Sequence, residues 1–300
     1  MKNKISVFLL ACPALIGMGS ARAEIPNALS HALVGSPREY VVEKGDFLTT
    51  IAARFGESAM AIAQANGIDY EAPIVPGKVL KIDNLHVVPE TLENGIVINL
   101  PQRLLFFFRN AALLAAYPVG LGRPALPTPP GNFSVAMFSR SPNWIVPISI
   151  QEEMRREGEA VRTEVPPGPD NPLGKYWIGL SRPGYGIHGT VAPSSVYQFR
   201  SHGCIRLQPE DIKELFPQVQ LGDPVKIIYA PVLVASLNDG RIYLEVNPDV
   251  YGKGVNALRV LTELVQANQL AHRIDWAKAA QVIRKQEGIA RQISLEANAH

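Results

Sequence analysis

Two short stretches hold the residue types that do chemistry: Ile187-His188-Gly189-Thr190, and Ser201-His202-Gly203-Cys204-Ile205-Arg206-Leu207. Cysteine is a nucleophile only as thiolate, so a working cysteine needs a group to take its proton. A neighbouring histidine serves, giving a thiolate–imidazolium pair at neutral pH. Two histidines qualify, 16 and 2 residues before Cys204. Gly203 implies a tight turn between His202 and Cys204, so those two side chains need not meet. His188 ends a predicted strand and can face Cys204 from a neighbouring strand. Cys204 is therefore the expected nucleophile and His188 its base. Gly203 leaves room for a substrate carbonyl to approach the backbone, and the N–H groups of Gly203 and Cys204 are the expected oxyanion donors. With no Asp or Asn close by in sequence, the carbonyl of Gly189 is the expected group that orients the imidazole.

The compartment strengthens the case for a reactive thiol. Lys2 and Lys4 precede an apolar run from Ile5 to Met18, and Ala21-Arg22-Ala23 offers small residues at the two positions a signal peptidase reads. Residues 1–23 thus read as a secretory signal peptide cleaved before Glu24, too short in its apolar part to span a bilayer. The chain has only two cysteines, Cys12 and Cys204, and Cys12 leaves with the signal. A single thiol in an oxidising compartment, expected to be the periplasm, is a liability unless used. The 29 basic and 27 acidic residues become nearly balanced once Lys2, Lys4 and Arg22 are removed. Charge therefore gives no reason to expect nucleic acid or an anionic membrane as partner, and no later segment is apolar enough to cross a membrane.

Around these residues the pattern divides the chain. Over 39–84, a strand at Tyr40-Val41-Val42 leads through Lys44-Gly45-Asp46 to helical spacing at Leu48, Ile51, Ala52 and Phe55. A second short helix stops at Asn66-Gly67, and a strand comes after it at Val79–Ile82. Residues 94–230 are rich in strands: Ile96–Leu100, Leu104–Phe108, Ala112–Val119, Asn132–Phe138, Tyr176–Leu180, Tyr185–His188 and Val225–Tyr229. A proline-flanked segment at 144–168, helical around Glu152–Arg156, reads as a flap over a site. In the tail, 231–300, a hairpin turns at Asn238-Asp239-Gly240, and apolar stripes mark two helices, the second capped by Asp275.

The paired motifs around His188 and Cys204 resemble the signature of the L,D-transpeptidase catalytic domain. Thr128-Pro129-Pro130-Gly131-Asn132-Phe133 and Gly168-Pro169-Asp170-Asn171-Pro172-Leu173-Gly174 are similar to further motifs of that family. The 39–84 segment resembles a LysM module through Tyr40–Asp46, Ile51-Ala52, Asn66-Gly67 and Pro76–Ile82; Phe47 departs from the family by replacing a small hydroxyl residue. The fold expected is a mainly β, sandwich-like catalytic domain with a small α+β LysM-like domain and a partly helical C-terminal tail.

By the same resemblance, Cys204 attacks the L-centre carbonyl of diaminopimelate in a peptidoglycan tetrapeptide stem and expels D-Ala. An amine of a second stem then takes the acyl group in a 3→3 cross-link, or an outer-membrane lipoprotein is attached. His202, Arg206, Ser201, Thr190 and Tyr185 form the expected substrate-binding set, and carbapenems are expected to acylate Cys204. Sugar is expected between Gly45-Asp46-Phe47 and Ile74-Val75. No cofactor or metal is expected, since no CxxC or HxxxH spacing accompanies the histidines. The rival readings are a carboxypeptidase, endopeptidase or amidase-type hydrolase on the same scaffold, and a wall-binding protein with an idle site.

Overall fold

The computed structural model describes residues 29–295. The expected signal peptide at 1–23 lies outside the described residues. Three large buried clusters organise the described residues, their buried members lying within 42–82, 96–229 and 232–293.

In the N-terminal segment, strands Pro37–Val41 and Val79–Asp83 pair antiparallel and enclose helices α1 (Leu48–Phe55) and α2 (Ala59–Ala65). Leu48, Ile51, Ala52, Ile62, Leu80 and Ile82 form its core. Helix α1 ends at Gly56, which takes the left-handed conformation (φ 71°) that a side chain would resist.

The central segment is one eight-stranded sheet. Its order is Ile205–Arg206, Gly186–His188, Tyr176–Leu180, Gly131–Arg140, Pro224–Ile228, Gly95–Asn99, Leu104–Arg109, Ala112–Pro118. The sheet curls until its edges meet, because Gly120, just past the last strand, exchanges two backbone hydrogen bonds of 2.8 Å with Arg206 on the first. The run Leu104–Phe108 is buried throughout since both faces of its strand are covered. Leu105 and Phe107 enter the main core; Leu104, Phe106 and Phe108 pack with Val88 and Val97 on the other side. Helix α4 (Pro209–Leu215) seals the main core with Ile212 and Leu215.

The segment 144–168, expected to be a flap, carries helix α3 (Ile148–Glu157), none of whose residues is buried. Its base is a short antiparallel pairing of Trp144–Ile145 with Glu164–Val165. The tail forms the sheet Val232–Ser236, Ile242–Val246, Arg291–Gln292, with helices α5 (Ala257–Ala267) and α6 (Trp276–Lys285) packed on it. Asp275 caps α6 as expected, accepting from the N–H groups of Ala277 and Lys278.

A buried polar network joins the three parts. Glu245, fully buried in the tail sheet, takes hydrogen bonds from His86 (3.2 Å), the Val87 N–H (2.7 Å), Gln102 (3.0 Å) and Asn247 (3.1 Å). The other ring nitrogen of His86 reaches the Gly56 carbonyl at 3.0 Å. Among the described residues no helix is long and apolar enough to cross a membrane.

Candidate active site

The edge of the curled sheet sets the site. Strand Gly186–His188 runs parallel to Ile205–Arg206, with Ile187 opposite Ile205 and His188 opposite Arg206. Cys204 precedes Ile205, so the two-residue alternation of a strand directs Cys204, Arg206 and His188 to one face. Ile187 and Ile205, pointing the other way, are fully buried in the main core and fix the pairing.

His188 is 3% exposed and stacks on Trp177 with ring centroids 5.7 Å apart. Its Nδ1 lies 2.5 Å from the Gly189 carbonyl oxygen. A carbonyl only accepts, so this bond assigns the proton to Nδ1 and leaves the lone pair on Nε2. Burial pushes the imidazole pKa down to about 4, helped by the Arg206 charge; the Gly189 and Leu173 carbonyls oppose the shift.

Cys204 is partly exposed, with its Sγ 3.5 Å from the Gly184 carbonyl. Among the described residues no hydrogen bond joins it to His188. Crowding by surrounding atoms raises the thiol pKa, against smaller lowering effects of the Gly186 N–H and Arg206. Both shifts favour the neutral forms, a thiol on Cys204 and an imidazole on His188, rather than the expected thiolate–imidazolium pair. Arg206 has neither a carboxylate nor a hydrogen-bond partner for its guanidinium among the described residues, so it is not tied up in a surface ion pair.

The turn before Cys204 is held from within. Gly203 sits at φ 108°, and a Cβ there would come 2.8 Å from Tyr185 Cε1. Ser201 Oγ donates to the Cys204 carbonyl (2.6 Å) and accepts from the Gly203 N–H (3.1 Å). This corrects the oxyanion expectation for Gly203, whose N–H is already used inside the turn. The Cys204 N–H has no partner among the described residues.

The other expected site residues divide. Tyr185 packs beside the Gly203 turn. His202 points away from Cys204, to Glu153 at 2.5 Å and Arg123 at 3.2 Å. Thr190 accepts from the Ala192 N–H (3.0 Å) and lines a separate cavity of about 370 Å³ with Gly168, Tyr176, Gly189 and Ile212, which Cys204 does not reach. In the N-terminal segment, Gly45 has open space around it (φ 95°), and Phe47 and Val75 are 66% and 67% exposed. Ile74 instead turns into the core. Asp46 is engaged in the turn itself, accepting from Tyr40 Oη (2.5 Å) and the Glu43 N–H (2.9 Å).

Four contributors had no expected role. Asn171 is fully buried and donates to the carbonyls of Pro142 (2.9 Å) and Val165 (3.1 Å), fastening the flap base. Trp177 supports His188 from across the hairpin; its partnering depends on register, which the sequence does not set. Arg123 and Glu153 stand 79 and 49 residues before His202, and no local signal links them.

The fold and site describe one class of enzyme, and the comparisons agree. Residues 93–227 match the family model of the L,D-transpeptidase (YkuD) catalytic domain, and residues 40–83 match that of the LysM domain. The probable L,D-transpeptidase YbiS of Escherichia coli K12 is 32% identical over 82% of this chain and 83% of its own length. The probable L,D-transpeptidase ErfK/SrfK of Salmonella typhimurium is 34% identical over 72% and 71%. The catalytic domain of the Enterococcus faecium L,D-transpeptidase, solved by NMR, is 22% identical over 46% of this chain and 98% of its own, at a TM-score of 0.33. The chain belongs to the L,D-transpeptidase family, with an N-terminal LysM domain.

Proposed function

We propose that the protein is an exported cysteine acyltransferase that remodels peptidoglycan through a thioester on Cys204. The observation that supports this reading is the register opposing His188 to Arg206, two residues past Cys204 on the adjoining strand, with no partner for the Arg206 guanidinium among the described residues. A tetrapeptide stem binds with a carboxylate on Arg206, which offers a fixed fork of donors. As the thiol attacks the L-centre carbonyl of diaminopimelate, its proton passes to His188 Nε2. A sulfur–carbon bond forms, the carbon–nitrogen bond to D-Ala breaks, and His188 returns the proton to the departing amine. The Cys204 N–H faces the developing oxyanion. The Gly189 carbonyl keeps Nδ1 protonated throughout, so Nε2 is the nitrogen that exchanges the proton.

The thioester is then attacked by an amine, whose proton His188 accepts while the thiol is released. The acceptor is a second stem, giving a 3→3 cross-link, or an outer-membrane lipoprotein. Phe47 and Val75, exposed beside Gly45, favour glycan contact at the LysM domain. The charge pattern of residues 1–23 favours export to the periplasm.

The test is incubation of the purified protein with disaccharide-tetrapeptide, products read by mass, and Cys204→Ala as control. A dimer lacking one D-Ala, absent with the variant, is expected. Tripeptide monomer alone points to the hydrolase, and no product overturns cross-linking of this substrate.

A further inference from the structure

Helix α3 has no buried residue, yet its Glu153 reaches His202, two residues before Cys204. Its side-chain hydrogen bonds beyond the flap all come, among the described residues, from Glu153. Arg123 donates to both carboxylate oxygens, Nη1 to Oε1 at 2.7 Å and Nη2 to Oε2 at 3.1 Å. His202 Nε2 reaches Oε2 at 2.5 Å. The Arg123 backbone N–H also donates to the Ser201 carbonyl at 2.9 Å, so the guanidinium is anchored to the same turn it clamps. Hydrogen bonds from Arg123, and after it His202, hold the Glu153 carboxyl below the usual carboxylate range.

We infer that Glu153 is a positioning residue for the transfer reaction, closing the flap over Cys204 by binding Arg123 and His202 together. The inference rests on Cys204 being the acylated nucleophile. His202 is then not a substrate contact but the point at which the turn grips the flap. Asn171 and the strand pair fasten the base of the flap, but α3 itself has only half-buried residues such as Ile150 and Met154, so its outer end is held to the Cys204 turn by this cluster. A closed flap confines a stem peptide beside the thiol, whereas a small reagent needs no such confinement.

The test compares the parent, Glu153→Gln and Glu153→Asp in three measurements. These are amide exchange over residues 148–157, acylation by the tetrapeptide donor, and alkylation of Cys204 by iodoacetamide. Glu153→Gln is expected to speed exchange of α3 and to slow donor acylation by about tenfold or more, with alkylation no slower than in the parent. Glu153→Asp, retaining the charge, is expected to fall between. Unchanged exchange in Glu153→Gln overturns the inference, as does donor acylation within about twofold of the parent. So does an equal loss of alkylation and acylation, which marks a collapsed site rather than a loosened flap. A parent that is never acylated sinks the proposed function, and the exchange measurement still reads the clamp.

Discussion

The neutral, buried state of His188 has a consequence for stability that can be measured without substrate. An unfolded histidine titrates near 6.5, while burial pushes His188 down to about 4. As pH falls below 6.5, the unfolded chain takes up a proton that the folded protein refuses. His188 therefore favours unfolding progressively from pH 6.5 down to 4, and its effect levels off below. Between pH 7 and pH 5 this one group is expected to remove about 2 kcal/mol of stability. His188→Gln cannot titrate, so its stability should fall less over the same interval by about that amount. Glu57 and Asp211, both pushed up to about 7 by burial, titrate in the opposite sense, but they remain in both proteins and cancel in the difference. The assay is urea unfolding of both proteins followed by tryptophan fluorescence at pH 7 and pH 5, with Trp177, held in the sheet strand Tyr176–Leu180, as a reporter. Parallel losses in the two proteins, to within about 0.5 kcal/mol, refute the assignment of a buried neutral imidazole.

Three further outcomes are expected of the same structure. Because crowding holds the Cys204 thiol above its ordinary 9.0, alkylation by iodoacetamide should keep accelerating as pH rises through 9; a plateau already at neutral pH contradicts this. Gly203→Ala meets both φ 108° and the Tyr185 ring at 2.8 Å, and should cost about 1–3 kcal/mol together with most of the activity, read by thermal melting and turnover. Glu245→Ala strands His86, Gln102 and Asn247 in a buried junction, and should cost about 3 kcal/mol or more in urea unfolding. A change below about 1 kcal/mol there shows that the junction is hydrated or dispensable.

What the sequence makes legible depends on how local the cause is. Periodicity places α1 and α5, and an unbroken apolar run places the Leu104–Phe108 strand, because each answers to its own local pattern. The motif pair around His188 and Cys204 is legible because the chemistry demands rare residue types together. Asp275 as a helix cap needs only the N–H groups two and three positions on. The failures are non-local. Gly203 reads as an oxyanion donor, a role that Ser201 Oγ, two residues away, denies by taking its N–H. The protonation state of the pair depends on burial, which no run of residues reports. The bond between Glu153 and His202 spans 49 positions, and the one between His86 and Glu245 spans 159; both exist only once the sheet has curled and the tail has docked. Thr190 lies within the motif yet faces another cavity, since one step beyond His188 the chain has left the strand.

The central claim, a thioester on Cys204, is tested most directly by intact-protein mass spectrometry after brief mixing with a tetrapeptide donor or a carbapenem. A single adduct on the parent is expected, equal for the stem to the donor minus D-Ala, mapped by peptide analysis to Cys204 and absent from Cys204→Ala. Release of D-Ala by Cys204→Ala, or an adduct carried at any other residue, contradicts it.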